Sequence, residues 1–295
     1  MNISRPSLKK ILWLINHPTF KKKPIKTLLR VIVWEIIRLI GKPIHFVYDK
    51  SLYILLYPND GVARLAFYFD YHEPVEFAFL SRFLDREMIC VDVGANIGTY
   101  SLFMAKRVKQ VFAFEPQLQS SNRLIESSVT NNLLNITVIQ NAVSSHHAKL
   151  RLSLVGDDSA KTFTTSIGDG TTNLADTVEA VSLDEYFTAN PVERIDYIKI
   201  DAEGAESEVL LGSKKILKTY KPIVQLEIAA DTQTRFKKLE GKASFNFEEF
   251  FTDANYQFFC IDPTMNALKR GKSWNTIAIS TEKIWELQAM EIIVI

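Results

Sequence analysis

The chain of 295 residues has 47% hydrophobic residues and a formal net charge of +1 at pH 7. This size and hydrophobic content are sufficient for one large α/β domain, and the near-balanced charge argues against a surface that is basic throughout, as in many nucleic-acid-binding proteins. The two cysteines, Cys90 and Cys260, lie in apolar stretches without metal-binding or redox spacing. They are predicted to be small core residues in a reducing compartment.

The first 50 residues differ from the rest of the chain in charge. They contain 11 Lys and Arg against 2 Asp and Glu, a net charge of +9, whereas residues 51–295 carry −8. We therefore predict a basic helical extension over residues 1–50 and a larger α/β domain over residues 51–295. The apolar run 11–15 is too short for a secretion signal and no cleavage site follows it, so no targeting peptide is expected.

Residues 25–40 have the apolar spacing of an amphipathic helix, and four charged side chains within them exclude a membrane-spanning segment. The apolar positions are Ile25, Leu28, Leu29, Ile32, Val33, Ile36, Ile37 and Ile40. One interpretation is that this face packs on the domain or on a second subunit, which would make a homo-oligomer. Another is peripheral contact of residues 7–40 with an anionic membrane surface. Nucleic-acid binding is disfavoured because no zinc or aromatic RNA-binding pattern accompanies the charge.

An apolar strand over 88–93 runs through a glycine loop into a helix, and a second strand, 110–114, stops at Glu115. Strand, loop and helix in this order build a nucleotide-binding crevice at the carboxyl end of a parallel sheet. Gly94 lets the backbone turn beside a ligand, and Gly98 lets the helix lie close to the sheet. The loop reads G-x-x-x-G, so the middle glycine that admits a dinucleotide pyrophosphate is absent.

Strands and helices alternate along the rest of the chain, as a parallel α/β sheet requires. The strand 195–200 ends in a second glycine turn that carries carboxylates, and residues 156–176, rich in Gly, Ser, Thr and Asp, look like a loop in an inserted hairpin. Other strands are predicted over 136–140, 222–228, 256–261 and 275–280, and helices over 98–107, 120–131, 205–217 and 244–254.

Two separated motifs carry a family resemblance. The chain has V-D-V-G-A-N-I-G at residues 91–98, and I-K-I-D-A-E-G-A-E at residues 198–206. Together with Tyr71-His72-Glu73-Pro74, these motifs resemble the FkbM-type family of S-adenosylmethionine-dependent methyltransferases over about residues 65–230. The resemblance implies the class I methyltransferase fold. This fold is a seven-stranded, mostly parallel Rossmann-like sheet with helices on both faces and an antiparallel last strand.

The same resemblance implies a cofactor and the residues that hold it. S-adenosylmethionine is expected in the crevice, with Asp92 facing the ammonium of its methionine part and Glu115 holding its ribose. Asn141 and Ala142 occupy the position that meets adenine in this fold. The expected cofactor-binding residues are Asp92, Gly94, Asn96, Gly98, Glu115, Asn141 and Ala142, and no metal site is predicted.

A hydroxyl that accepts a methyl group must be aligned and must lose its proton, so carboxylates at the carboxyl ends of strands are expected to act. The candidate catalytic residues are Asp201, Glu203 and Glu227. Glu206, in the same turn as Asp201, is either a further site carboxylate or a helix-start carboxylate favoured by the helix dipole.

The acceptor is partly limited by what the second turn lacks. Enzymes that methylate nucleic-acid bases resemble one another in an Asn/Asp-Pro-Pro-aromatic turn, whereas this chain has D-A-E-G at residues 201–204. The family resemblance implies O-methylation of a hydroxyl on a sugar, a lipid-linked saccharide or a similar polyhydroxylated molecule, as in polysaccharide biosynthesis. We expect a cytoplasmic enzyme, with any membrane contact at the inner face.

Two other functions stay open. An NAD-dependent oxidoreductase of a nucleotide sugar would use a similar crevice, but the missing middle glycine argues against it. A non-catalytic adaptor would keep the fold and use the basic extension for assembly. The intact Asp92, Glu115 and Asp201 argue against the loss of a functional site.

Overall fold

The computed structural model describes residues 8–71, 73–155, 162–166, 176–228, 245–262 and 267–293. The strands in these ranges are β1 (Ile44–Asp49), β2 (Leu52–Leu56), β3 (Ile89–Val93), β4 (Gln110–Phe114), β5 (Ile136–Ile139), β6 (Ala142–Val143), β7 (Ala148–Val155), β8 (Thr162–Ser166), β9 (Asp176–Val181), β10 (Tyr197–Ile200), β11 (Ile223–Glu227), β12 (Tyr256–Asp262), β13 (Ala267–Arg270) and β14 (Asn275–Ser280). The helices are α1 (Leu8–Asn16), α2 (Pro18–Lys22), α3 (Pro24–Ile40), α4 (Gly61–Phe69), α5 (Pro74–Phe83), α6 (Thr99–Ala105), α7 (Leu118–Thr130), α8 (Leu183–Ala189), α9 (Glu206–Leu211), α10 (Lys214–Tyr220), α11 (Phe247–Asp253) and α12 (Thr281–Ala289).

The main sheet has the strand order β13-β12-β14-β11-β10-β3-β4-β5. The strands from β11 to β5 in that order are parallel, and β14 lies antiparallel to β11 and β12. The predicted α/β fold and its antiparallel last strand are confirmed. The sheet has one strand more than the seven predicted, because β13 pairs with the outer edge of β12.

Helices cover both faces of this sheet, as predicted, because its central strands are apolar on both sides. Successive residues of a strand point to opposite faces, and in β10 Tyr197 joins the core on one face while Ile198 joins the core on the other. Helices α5, α6, α7 and α12 contribute to the first core, and α8 to α11 contribute to the second. The carboxyl ends of β3, β4, β10 and β11 therefore form one edge between the helical layers.

The second sheet has the order β6-β9-β7-β8. Strands β7, β8 and β9 lie in the predicted hairpin insertion, and β6 precedes it in the chain. Its strands β7 and β9 are antiparallel, as the apolar runs on either side of the predicted loop suggested. The predicted loop over 156–176 contains β8, which pairs with β7. Residues 156–161 and 167–175 of that loop, like His72 of the family motif, lie outside the described residues.

The predicted helix over 205–217 is divided into α9 and α10 at Gly212. A Cβ at Gly212 would lie 2.2 Å from the carbonyl oxygen of Ser144, so only glycine allows this close approach. After this break, α10 leads into β11.

Helix α3 confirms the predicted amphipathic helix, but not the direction in which its apolar face was expected to point. It begins at Pro24 and ends at Ile40, and Gly41, with a φ of +72°, caps its C-terminus. Trp34 is fully buried against Phe67 of α4, whereas of the predicted apolar positions Ile37 alone is buried. The interpretation that the predicted face packs on the domain was therefore wrong for all but Ile37.

The predicted division of the chain between residues 50 and 51 stays a prediction. It falls in the turn that joins β1 to β2, two strands that pair in antiparallel fashion. In the ranges that the structure covers, no helix is both long enough and apolar enough to cross a membrane.

Candidate active site

The first glycine loop joins β3 to α6 and is held by a close contact with the second motif. Gly94 has φ +79°, and a Cβ there would lie 1.9 Å from the main-chain oxygen of Asp201. Gly98 has φ +91°, and its Cβ would meet Leu124 of α7 at 2.2 Å. Gly98 thus brings α6 against a neighbouring helix, whereas the sequence had suggested the sheet. The two sequence motifs therefore contact each other where Gly94 meets the main chain of Asp201, at the edge of the sheet.

Asp92, the penultimate residue of β3, is a fully buried carboxylate. Its Oδ2 accepts a hydrogen bond of 2.6 Å from the Ser101 hydroxyl, and its Oδ1 has no hydrogen-bond partner among the described residues. Burial raises the pKa of Asp92, although the charge of Lys199 and the Ser101 hydroxyl act in the opposite direction. A buried carboxylate oxygen without a donor is costly. Asp92 therefore suits a ligand that brings a cationic hydrogen-bond donor.

Glu115, directly after β4, holds the glycine loop from the other side. Its two oxygens accept hydrogen bonds from the main-chain N–H of Asn96 at 2.9 Å and of Gln117 at 2.8 Å. Burial raises the pKa of Glu115 to about 7, against the effect of these two bonds. Each carboxylate oxygen can accept more than one hydrogen bond, so hydroxyls of a ligand can still bind there.

The Asn96 side chain stabilises the glycine loop in which it lies. Asn96 has φ +51°, a left-handed conformation that asparagine tolerates better than most residues. Its Oδ1 accepts a hydrogen bond of 2.8 Å from the N–H of Ile97. The side-chain oxygen therefore stabilises the turn, and the main-chain N–H positions Glu115.

These residues line one open cleft at the carboxyl ends of the parallel strands. Of the predicted cofactor-binding residues, Asp92, Gly94, Asn96, Glu115, Asn141 and Ala142 line this cleft. Gly98 does not line it and contributes through the packing of α6. The structure therefore brings the predicted residues from three separate segments of the chain to one site.

Two of the three predicted catalytic carboxylates, Asp201 and Glu203, line the same cleft. Glu227 is not among the lining residues and lies at the end of β11, the neighbour of β10. Burial raises the pKa of Glu227 to about 8, and the nearby charges of Asp201, Glu206 and Glu203 act in the same direction. A carboxyl group with this pKa can exchange a proton near neutral pH.

Glu206 holds the main chain of the second glycine turn, residues 201–204. It is 2% exposed, and its Oε1 accepts hydrogen bonds from the N–H groups of Ala202 at 3.0 Å and Gly204 at 3.1 Å. Burial raises the pKa of Glu206 to about 7. Since these bonds fix the main chain of the turn, Glu206 acts as a positioning residue for Asp201 and Glu203, consistent with the helix-start interpretation.

Lys199 was not among the predicted site residues. It is 5% exposed, and its Nζ donates a hydrogen bond of 3.0 Å to Asp201 Oδ2 and lies 4.6 Å from the centre of the Tyr100 ring. Burial lowers the pKa of Lys199, but Asp201, Asp92 and Glu73 raise it by more, so it stays above its ordinary value. A lysine within the apolar run of β10, two residues before an aspartate, is the sequence signal that indicates such a buried pair.

A second group that the sequence did not reveal joins the start of α5 to the sheet. Glu73 accepts a hydrogen bond of 2.5 Å from the Tyr100 hydroxyl and one of 2.6 Å from the Asn275 side-chain amide. Gln225 donates in turn to the Tyr100 hydroxyl at 3.2 Å. Glu73 belongs to the motif at residues 71–74 that carried the family resemblance, and its contacts give that motif a structural role next to Lys199.

The cleft is acidic as a whole. Lys199 is the only cation that lines it within the described ranges, against Asp92, Glu115, Asp201 and Glu203. Such a site favours a ligand with positive charge. Among all residues that the structure describes, no group of three or more His, Cys, Asp or Glu side chains is arranged to hold a metal ion.

Comparison with known proteins places these motifs in a family. The methyltransferase FkbM domain matches residues 92–258, more than half of the chain. The hexuronic acid methyltransferase AglP of Haloferax volcanii is 30% identical over 173 residues, which cover 56% of this chain and 67% of AglP. The methyltransferase sdnD of Sordaria araneosa is 31% identical over 152 residues, which cover 41% of this chain and 59% of sdnD.

Among solved structures, a methyltransferase FkbM from Methylobacillus flagellatus is similar to this chain, with a TM-score of 0.42 and 16% identity. The match covers 84% of this chain and 58% of that protein. The chain thus spans less than two thirds of sdnD and of the solved methyltransferase. By the family match over residues 92–258, the chain belongs to the FkbM methyltransferase family.

Proposed function

We propose that the protein is an S-adenosylmethionine-dependent O-methyltransferase that acts on a hydroxyl of a sugar or a similar polyhydroxylated molecule. The observation that carries this proposal is the pairing of two buried carboxylates across one glycine loop. Asp92 has an oxygen without a described partner on one side of the loop, and Glu115 accepts two main-chain hydrogen bonds on the other. An acidic cleft of this kind fits a cofactor that bears a sulfonium and an ammonium.

The residues fit the parts of that cofactor one by one. Asp92 would accept a hydrogen bond from the ammonium, Glu115 would accept from the ribose hydroxyls, and Asn141 and Ala142 would contact the adenine. When bound, S-adenosylmethionine supplies an activated methyl group. The protein then has to align the acceptor oxygen and remove its proton.

The β10–β11 side of the cleft is the proposed acceptor site. The sheet order places β10 and β11 on one side of β3 and the cofactor-binding strand β4 on the other. Asp201 and Glu203 would accept hydrogen bonds from the acceptor hydroxyls, and the hydrogen bond from Lys199 holds the Asp201 side chain in place. Glu227, whose pKa is about 8, would take the proton as the carbon–oxygen bond forms.

The sugar class of the acceptor has separate support. AglP, one of the relatives, is a hexuronic acid methyltransferase by name. The carboxylates on the proposed acceptor side are hydrogen-bond acceptors, and vicinal sugar hydroxyls are donors that match them. Which sugar and which hydroxyl are questions for an acceptor screen.

Calorimetric titration of the protein with S-adenosylhomocysteine, the product form of the cofactor, tests the proposal. We expect micromolar affinity, no binding of NAD, and a loss of at least about tenfold in the Asp92→Asn variant, which removes one charge from the site. Asp262→Asn is the matched control, because Asp262 is also buried but lies on β12.

The same preparation should then transfer a labelled methyl group from S-adenosylmethionine to sugars. Hexoses and hexuronic acids of known linkage are the acceptors to screen first, and loss of label on masking of one hydroxyl identifies the site. Binding of NAD in place of S-adenosylhomocysteine would favour the oxidoreductase, and binding of neither would favour the adaptor.

A further inference from the structure

The most unusual surface of the molecule is the side of α3 that points away from the domain. Six large apolar side chains lie there, each between 49% and 75% exposed: Ile25, Leu28, Leu29, Ile32, Ile36 and Leu39. Their spacing places them in one stripe along four turns of the helix, opposite Trp34. No polar residue interrupts this stripe, which we call the outward face of α3.

The orientation of α3 is fixed by what it buries on its other side. Trp34 and Thr27 are fully or nearly fully buried, and Trp34 packs on Phe67 of α4. Arg30 forms an ion pair of 2.7 Å with Asp70, which follows α4. Rotation of α3 to hide its apolar stripe would expose Trp34 and break this pair. The outward face is therefore a stable property of the folded chain.

A continuous apolar stripe of this length marks an interaction surface in a water-soluble domain. Within the ranges that the structure covers, no other element packs over it, since its side chains are exposed with all of these elements in place. The occupants to be distinguished are a second copy, another molecule and a lipid surface. The charges around the stripe discriminate among these.

The rim of the outward face is basic. Lys21, Lys22 and Lys23 precede the helix, Lys42 follows it, and all four are exposed. None of them forms an ion pair with a described residue, whereas Lys26 and Arg30 share Asp70 and Arg38 pairs with Glu35. The uncompensated charge at both ends of the stripe is thus positive.

This charge distribution disfavours a second copy as the occupant. Two α3 helices packed face to face would bring the lysine triplet of one copy against Lys42 of the other if antiparallel, or the two triplets together if parallel. Like charges at both ends oppose either arrangement. A negatively charged surface with an apolar interior matches both the stripe and its rim.

We propose that the outward face of α3 docks on an anionic lipid bilayer, with the helix parallel to the membrane plane and the lysines among the headgroups. The 17 residues of α3 are about 26 Å long, and the helix lies in the interface without crossing it. Burial of the stripe and attraction of the lysines act together, and both depend on the orientation that Trp34 and Arg30 fix. This docking does not depend on the proposed methyl transfer.

Co-sedimentation of the full chain with vesicles tests the proposal. One set of vesicles contains phosphatidylglycerol and phosphatidylcholine, and the other contains phosphatidylcholine alone. The wild type should bind the anionic vesicles and bind the neutral ones at least about tenfold more weakly, because each lysine near an anionic surface contributes on the order of 1 kcal/mol, a factor of about five. Salt should weaken the binding.

The stripe is tested by the Ile32→Glu/Ile36→Glu variant, which should lower the partition coefficient about 100-fold. The matched control is Val129→Glu/Leu134→Glu, which changes two apolar side chains that are 69% and 96% exposed elsewhere on the surface and should bind as the wild type does. Neutralisation of the rim by Lys21→Gln/Lys22→Gln/Lys23→Gln should remove most of the preference for anionic vesicles. Far-UV circular dichroism checks that each variant is folded.

Sedimentation velocity identifies the competing occupant. A wild-type dimer that the Ile32→Glu/Ile36→Glu variant dissociates, without binding to either vesicle, would assign the outward face to a second copy and overturn the proposal. Equal vesicle binding by the stripe variant and its control would overturn it as well. A monomer that binds anionic vesicles only through an intact stripe and rim supports it.

Discussion

The two halves of the cleft are built on different principles. On the β3–β4 side, short hydrogen bonds hold each carboxylate: Ser101 of α6 donates to Asp92, and the main-chain N–H groups of Asn96 and Gln117 donate to Glu115. The β10–β11 side holds four carboxylates that lie near one another: Asp201, Glu203, Glu206 and Glu227. Repulsion from the other three adds to burial in raising the pKa of Glu227.

Under the proposed function, this difference separates cofactor recognition from chemistry. The β3–β4 half is fixed by hydrogen bonds from the Ser101 hydroxyl and from main-chain N–H groups, which suits a cofactor whose shape does not vary. In the β10–β11 half, the carboxylates repel one another, and a bound proton or a hydrogen-bond donor of a ligand reduces this repulsion. Lys199 connects the halves, because the charges of both Asp92 and Asp201 act on it.

Loss of the contact that joins the halves should have the largest effect. In Gly94→Ala the new Cβ would lie 1.9 Å from the Asp201 carbonyl oxygen, and the backbone would keep φ +79°. We expect a loss of at least about 4 kcal/mol in the free energy of unfolding, measured by urea denaturation. Gly41→Ala is the control, since φ is +72° there but a Cβ would have no atom within 4 Å. That variant should lose only about 1 kcal/mol.

Removal of the connecting cation should be next in size. Lys199→Met leaves Asp92 and Asp201 without their buried partner and should lower the free energy of unfolding by about 3 kcal/mol. Lys269→Met removes a pair of the same length, 3.0 Å, in which the lysine is 51% exposed. That control should lose less than about 1 kcal/mol. Equal losses in the two variants would show that burial of Lys199 does not matter.

Glu227→Gln should impair the function of the β10–β11 half and leave the β3–β4 half unchanged. We expect the rate of methyl transfer to fall by about 100-fold, with the affinity for S-adenosylhomocysteine unchanged. Because the ionised form of a base is active, the wild-type rate should rise with pH through about 8, the pKa of Glu227. The variant should lack this rise, and Glu282→Gln, on the surface, should retain it. A wild-type rate that is flat from pH 6 to 9 would exclude Glu227 as the base.

The smallest effect on stability is expected at Glu206, which holds the second glycine turn. Glu206 has a folded pKa of about 7 against an ordinary value of 4.5. Between these values the folded chain binds more protons than the unfolded one, so its stability falls as pH rises. Glu206→Gln keeps an oxygen for Ala202 and Gly204 and should raise the free energy of unfolding at pH 8 by about 1–3 kcal/mol. Thermal denaturation at pH 5 and pH 8 measures this, and a loss of stability at pH 8 would contradict it.

The strands and loops of the site were predictable because their signals are local. Every residue of β3 and β10 is buried, so both appear in the sequence as mainly apolar runs that lead into a glycine turn. Asp92 is the penultimate residue of β3, and Glu115 directly follows β4. By contrast, β13 has only four residues, two of them exposed, and depends on pairing with β12.

The features that the sequence did not reveal depend on contacts distant in the chain. Glu73 is held by Tyr100 and by Asn275, which lies near the other end of the chain. The periodicity of α3 located its apolar stripe but not the side that packs on the domain. Burial of Trp34 and the pairing of Arg30 with Asp70 decide that side, and neither follows from spacing.

The contact between Gly94 and the Asp201 carbonyl also has a consequence for the order of folding. The two residues are roughly a hundred positions apart in the chain, a separation that makes contact formation slow. The loop after β3 has its final neighbour only once β10 has paired beside β3. During synthesis, the proposed cofactor-binding loop therefore cannot be complete until the ribosome has released the second motif, and a chain that ends before β10 should not acquire affinity for S-adenosylhomocysteine.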